Sequence, residues 1–290
     1  MNFISREPIN KGWSGDKKYC ARDSEGRKYL LRVSPAEQYE RKRCEYELMR
    51  RVAALGIPMC LPLEFGTSGE GVHSVQSWID GTDAEEIIPG LTPKEQYSYG
   101  SEAGRILKKI HTIPAPDGAE DWETFFNRKL DRKIRMYEEC PLKYENGQAF
   151  IDYINAHRQL LEGRPRSYQH GDYHIGNMMI GRDKKLYIID FNRCDHGDPW
   201  EEFNRIVWCA QSAPAFARGM VDGYFDGNVP QKFWELLALY ISSNTLSSLP
   251  WAIPFGEKEI RVMRAQANDV LGWYDNMKEP VPNWYRQTGT

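Results

Sequence analysis

The most constraining stretch of this 290-residue chain is Tyr168-Gln169-His170-Gly171-Asp172-Tyr173-His174-Ile175-Gly176-Asn177. It runs into Met178-Met179-Ile180, a turn, and then Leu186-Tyr187-Ile188-Ile189-Asp190-Phe191. The apolar residues 178–180 and 186–189 flank Gly181-Arg182-Asp183-Lys184. Two short apolar runs around a turn of this composition predict a hairpin. Such a hairpin returns Asp190 to the side of Asn177, so a polar loop and two strands must be built as one unit.

An aspartate, an asparagine five residues later and a second aspartate ending an apolar strand are what phosphoryl transfer needs. That reaction asks for a carboxylate to orient an acceptor hydroxyl and for oxygen ligands to hold Mg²⁺ on nucleotide phosphates. Asp172 is the candidate carboxylate. Asn177 and Asp190 offer hard oxygen donors of the kind Mg²⁺ takes beside phosphate and water. An Asp and Asn five apart are by themselves ordinary turn residues; the second strand ending in Asp190 is what points to chemistry. His170 reads as a hydrogen-bonded structural histidine.

His170-Gly171-Asp172-x4-Asn177 with Ile189-Asp190-Phe191 resembles the aminoglycoside phosphotransferase family, the small-molecule branch of the protein-kinase-like fold. That branch carries a His-Gly-Asp loop where protein kinases carry His-Arg-Asp. The resemblance is densest over residues 168–205 and extends over most of the chain. It implies an α+β, two-lobed fold: a small antiparallel-sheet lobe at 1–80 that binds nucleotide, and a larger, mainly helical lobe at 81–290 for catalysis and substrate. It also implies ATP or GTP and Mg²⁺ as cofactors, with a hydroxyl of an aminoglycoside or similar antibiotic as acceptor. Kinases of the same fold that act on choline, homoserine, a sugar or a fructosamine are the alternative, and a nucleotide-binding module without catalysis is a further one. Asn192 stands where protein kinases have the glycine of Asp-Phe-Gly.

Further candidates lie upstream. Gly12-Trp13-Ser14-Gly15-Asp16 is a two-glycine turn flanked by Lys17 and Lys18, with Ser14 in reach of phosphates. Lys28–Val33 reads as a strand in which Arg32 interrupts the apolar pattern, at the position where the resemblance implies a phosphate-contacting lysine. Arginine keeps the charge but brings a bulkier planar fork. Ser34-Pro35-Ala36-Glu37 reads as a helix start, and the helix that follows, to about Leu55, carries Glu45, the expected partner of Arg32. Val72–Gly81 reads as a strand and hinge, where backbone groups near Ser77 and Ile79 would meet a purine edge. Thr92-Pro93-Lys94-Glu95 is a capping box before a helix to about Ile110, and further helices are expected at 122–139 and 147–161. After Asp190, the carboxylates Asp195, Asp198, Glu201 and Glu202 fall within eight positions and form a candidate receiver for a polycationic substrate, although Asp198 also suits a helix cap and the glutamates a helix first turn.

Composition narrows the partners. A formal charge of −3 without long single-sign runs lacks the basic footprint of nucleic-acid binding. No run approaches 18 apolar residues, and the N-terminus lacks a signal-peptide pattern. Six scattered cysteines without C-x-x-C suggest neither a zinc site nor a disulfide framework. The expectation is a cytoplasmic monomer whose partner is a small hydroxylated substrate.

Overall fold

The computed structural model describes residues 1–10, 15–193 and 195–286. In chain order the elements are β1 (Ser5–Ile9), β2 (Lys17–Arg22), β3 (Lys28–Ser34), α1 (Tyr39–Ala53), β4 (Pro62–Ser68), β5 (Gly71–Ser77), β6 (Gly81–Asp83), α2 (Ala84–Ile87), α3 (Pro93–Ile110), α4 (Trp122–Glu139) and α5 (Gln148–His157). They continue with β7 (Ser167–Gln169), β8 (Met178–Gly181), β9 (Leu186–Ile188), β10 (Asp195–Gly197), α6 (Ile206–Ser212), α7 (Pro214–Phe225), α8 (Gln231–Ala252), α9 (Glu257–Trp273) and α10 (Asn283–Arg286). Two compact units result: Met1–Ala84 with Asn177–Cys194, and Glu85–Gly176 with Asp195–Thr290.

The first unit is an antiparallel sheet in the order β1-β2-β3-β5-β4. Strand alternation puts Ala21, Leu31, Val33 and Val75 into one buried cluster, with Phe3, Tyr19 and Tyr29 packed on it. The same period of two sends Arg32 and Ser34 to the other face of β3. Helix α1 packs on β4, where the Tyr46 and Phe65 rings stack at 5.3 Å. Ser34 is not a helix cap as its position suggests. It ends β3 and donates its hydroxyl to Asp16 at 2.7 Å, while a 3₁₀ turn at Ala36–Gln38 leads into α1. The hairpin β8–β9, expected within the helical region, belongs to this unit because β8 pairs with β6 and the Ile188 amide donates to the Pro58 carbonyl at 3.1 Å.

The second unit is helical. The capping box at Thr92–Glu95 forms as read and starts α3. Helices α3 and α7 meet backbone to backbone through Gly100, Gly104, Gly219 and Gly223. A Cβ at Gly104 would overlap the Met220 carbonyl oxygen, and one at Gly223 the Ser101 carbonyl. Only hydrogen fits in those places. Helix α8, with Phe233, Leu236, Leu237, Leu239 and Leu246 fully buried, forms the core against which α4, α5 and α9 pack. Among the described residues no helix is long and apolar enough to cross a membrane.

Gly104→Ala is expected to force α3 and α7 apart and to cost roughly 1–3 kcal/mol, the usual range for overpacking a tight core. Gly272→Ala in α9, where a methyl group meets nothing within 4 Å, should be neutral or slightly stabilising. Urea denaturation of the two variants checks the contrast.

Candidate active site

The second unit presents Asp172 on a loop whose backbone is held from several sides. Strand β7 pairs with β10 in the register Asp195↔Gln169, His196↔Tyr168, Gly197↔Ser167, which fixes where the loop begins. The chain then turns through Gly171 at φ 83°, a conformation glycine adopts without penalty. The Gly171 amide donates to both carboxylate oxygens of Glu202, at 3.0 and 3.2 Å. The Tyr173 hydroxyl donates to the Ala103 carbonyl at 2.8 Å, and the Ile175 amide lies 3.4 Å from Cys209 Sγ. His170 is fully buried, its ring edge-on to Tyr173, with Nδ1 3.3 Å from the Asp172 amide. It has the structural role the sequence suggests. The Asp172 carboxylate is one-sixth exposed and forms an ion pair with Arg205 Nε at 3.3 Å, with His174 Nε2 3.6 Å away.

The first unit gathers the expected metal ligands and phosphate-contacting cation. The Ile189 amide donates to the Asn177 carbonyl at 3.1 Å, which keeps Asn177 and Asp190 at neighbouring places on the hairpin. Asp190 turns the chain after β9 at φ 65°, a region aspartate tolerates better than most residues. Arg32 donates from Nη1 to Asp190 Oδ1 at 2.8 Å and from Nε to Asp16 Oδ2 at 3.2 Å. Asp16 is almost wholly buried and also takes Lys42 at 3.0 Å. Lys42 in turn meets Glu45 at 2.9 Å. Burial works to raise the Asp16 carboxyl, yet the Ser34 hydroxyl, Arg32 and Lys42 together hold it below the ordinary carboxylate range. Burial also disfavours the charge on Lys18 and lowers its affinity for a proton, with Asp190 opposing and Arg32 assisting that shift. A pocket is lined by Arg32, Ser34, Lys42, Glu45, Asp16 and Asn192, among others.

Each expected residue can now be placed. Arg32 and Glu45 line the same pocket, but Glu45 pairs with Lys42 and Arg41, and the link to Arg32 runs through Lys42 and Asp16. The Ser77 amide donates to the Leu61 carbonyl at 2.9 Å. Ile79 follows the end of β5, with no backbone hydrogen bond of its own among the described residues. Ser14 lies outside the described residues.

The acidic quartet needs correction. Asp198 is fully buried and receives Arg164 at 2.7 Å through each oxygen, the Tyr240 hydroxyl at 2.6 Å and the Trp200 amide at 2.9 Å. Glu202 is buried on the Gly171 amide, and His111 Nε2 lies 3.9 Å from it. A charge in that environment must be paired inside the protein, so neither carboxylate is turned to a substrate. Glu201 receives Lys129 and Gln169, both at 3.1 Å. Its carboxyl is lowered despite burial, because Lys129 and Lys133 attract the charged form. Asp195 alone of the four is well exposed.

Sequence reasoning missed Asp16, Lys42 and Arg205. Lys42 and Glu45 stand three apart on a helix, a spacing that places them on one face, and Asp16 sat in the turn already singled out. Nothing local marks Arg205 as the neighbour of Asp172.

For the metal, Asn177 and Asp190 provide one amide oxygen and one carboxylate, a set that fits Mg²⁺ sharing its coordination with phosphate and water. Among the described residues no group of three or more His, Cys, Asp or Glu could hold a metal ion by itself.

Removing one partner of a buried pair strands the other charge. Arg164→Leu should therefore destabilise the protein by roughly 3–5 kcal/mol, whereas the exposed Asp195→Asn should leave stability within experimental error. Thermal unfolding distinguishes the two.

A family model described as the phosphotransferase enzyme family matches residues 5–235. A search of curated proteins found no match. Among solved structures, a thermostable mutant of aminoglycoside phosphotransferase APH(4)-Ia in ternary complex with AMP-PNP and hygromycin B superposes with a TM-score of 0.67 at 15% identity, covering 93% of this chain and 94% of that one. A choline/ethanolamine kinase family protein from Mesorhizobium loti gives 0.65 at 13% identity, over 98% and 93%. An amicoumacin kinase in complex with AMP-PNP, Ca²⁺ and Ami gives 0.65 at 12%, over 97% and 92%. At these identities the likeness is one of fold, which is kinase-like. The extent of the family match, taken with the fold, means that this chain belongs to the phosphotransferase enzyme family and is a phosphotransferase acting on a hydroxyl group.

Proposed function

We propose that the chain is a Mg²⁺-dependent kinase that moves the γ-phosphoryl group of ATP or GTP to a hydroxyl of a small molecule. The observation that carries this reading is Asp172 on a loop braced by Glu202, followed in the chain by a hairpin in which Asn177 takes the Ile189 amide and the next residue, Asp190, meets Arg32. Asp172 orients the acceptor hydroxyl and takes its proton as the acceptor oxygen bonds to the γ-phosphorus. The bridging P–O bond then breaks and the nucleoside diphosphate leaves. Arg32, with Lys42 and Lys18 beside it, faces the phosphates. Asn177 and Asp190 would hold the metal, which when bound would neutralise charge on the phosphate oxygens. Arg205 keeps the Asp172 carboxylate in one orientation.

For the acceptor, two readings stand. An aminoglycoside or similar antibiotic is supported by the family and by structural neighbours crystallised with hygromycin B and Ami. The acidic quartet supports it less than the sequence suggests, because Asp198 and Glu202 are consumed inside the fold and Glu201 is engaged by Lys129, leaving Asp195 exposed. The second reading is a metabolic kinase of the same fold; a choline/ethanolamine kinase family protein is among the structural neighbours.

The test is coupled nucleotide turnover with Mg²⁺ against aminoglycosides, macrolides, peptide antibiotics, choline, homoserine and sugars, with ATP and GTP in separate arms. Acceptor-dependent turnover is expected, and Asp172→Ala should lower it by about 10²–10⁴-fold, the usual weight of a positioned acid–base group. Turnover that survives in Asp172→Ala would contradict the assignment.

A further inference from the structure

In the first unit, Arg32 is held by a carboxylate other than the one helix α1 offers. Strands β2 and β3 pair in the register Lys17↔Val33 and Lys18↔Arg32. Lys18 and Arg32 are therefore direct cross-strand neighbours, two like charges that repel. Asp16 precedes Lys17 and continues the ladder opposite Ser34, so the period of two puts it on the same face as Lys18 and Arg32. From there one carboxylate reaches the guanidinium.

Asp16 Oδ2 takes Arg32 Nε at 3.2 Å and Nη2 at 3.1 Å, which grips one edge of the planar group. The remaining corner, Nη1, meets Asp190 at 2.8 Å. The other oxygen of Asp16, Oδ1, accepts the Ser34 hydroxyl at 2.7 Å, and Lys42 Nζ donates to Oδ2 at 3.0 Å. The side chains of Asp16 and Arg32 are only 4% and 8% exposed. Glu45 has other partners: its two oxygens accept from Arg41 at 3.0 Å and from Lys42 at 2.9 Å. Gripping a guanidinium at two nitrogens of one edge fixes its plane, which contact at a single nitrogen does not. An arginine ordered in this way has lost its rotamer freedom on folding, and phosphate binding no longer has to order it.

We propose that Asp16 is the positioning residue of the phosphate-contacting cation: it holds the Arg32 guanidinium in the plane in which the nucleotide phosphates meet it, the task that the family resemblance assigns to Glu45. This rests on the kinase reading above. Asp16 touches neither nucleotide nor acceptor in this account and acts through Arg32.

The experiment compares, by calorimetry on the full chain, a ligand that carries phosphates with one that lacks them: AMP-PNP with Mg²⁺ against adenosine, and GMP-PNP with Mg²⁺ against guanosine. The pair that the wild-type chain prefers is used for the variants. Asp16→Asn removes a negative charge beside the phosphates, so attraction alone would tighten the phosphate-bearing ligand. Positioning has the opposite sign: that ligand should weaken about tenfold, the effect of one misplaced charge-assisted contact, while the nucleoside keeps its affinity and so reports a folded protein. Arg32→Gln should weaken the same ligand, and adding Asp16→Asn to it should cost little more, because the guanidinium to be aimed is gone. Should Asp16→Asn not fold, Ser34→Ala decides, since it removes only the hydroxyl that Asp16 accepts. A loss of about threefold or more for the phosphate-bearing ligand alone, the weight of one hydrogen bond, supports the proposal, and no change overturns it. A wild-type chain that binds neither AMP-PNP nor GMP-PNP would sink the kinase reading. Intact wild-type binding with Asp16→Asn unchanged or tighter, with nucleoside and phosphate-bearing ligand weakened alike, or with losses that add in the double variant, would overturn this proposal alone.

Discussion

The pairing of Asp198 with Arg164 is the interaction on which the second unit depends. A fully buried carboxylate is tolerable only when every lone pair has a donor, and here Arg164, Tyr240 and the Trp200 amide supply them. Those donors come from the segment before β7, from α8 and from the chain after β10, so one charge ties three distant stretches together. Gln169 adds its amide to the Asp198 carbonyl at 2.8 Å, which connects the same knot to the end of β7. Three residues later stands Asp172. Glu202, four residues beyond Asp198, then accepts the Gly171 amide, so the loop rests on two buried carboxylates of one segment.

The first unit shows a different use of charge. Lys18, Arg32 and Lys42 face Asp16, Asp190 and Glu45, and the chain neutralises itself where phosphates are expected. A planar guanidinium can meet Asp16 and Asp190 at once, which a lysine ammonium at the same place would do with less geometric control. The departure from lysine at Arg32 therefore goes together with a second carboxylate, Asp16.

Much of this was legible in the sequence, because it is written in local patterns. The hairpin after Asn177, the capping box at Thr92, the helices α3 and α4, and the strands at Lys28–Val33 and after Val72 follow from periodicity and turn chemistry, while the full antiparallel sheet before residue 80 is what the family resemblance implies. What could not be read was the choice of partners. Glu45 was expected on Arg32 and meets Lys42; Ser34 looked like a helix cap and holds Asp16; four neighbouring carboxylates looked like one surface, although two of them point inward. Spacing along the chain places a side chain on an element, but which charge it meets is set by the three-dimensional packing, at times by a segment more than a hundred residues away, as with Arg32 and Asp190.

The central claim is that Asp172 serves the transfer of a phosphoryl group to a small hydroxylated molecule. The most direct measurement is untargeted mass spectrometry of a small-molecule extract incubated with the protein, Mg²⁺ and ATP labelled with ¹⁸O in the γ-phosphoryl group. A phosphate monoester that carries the label is expected, forming with the wild-type chain and missing with Asp172→Asn. Labelled inorganic phosphate as the sole product, or a labelled ester formed equally by Asp172→Asn, would contradict it.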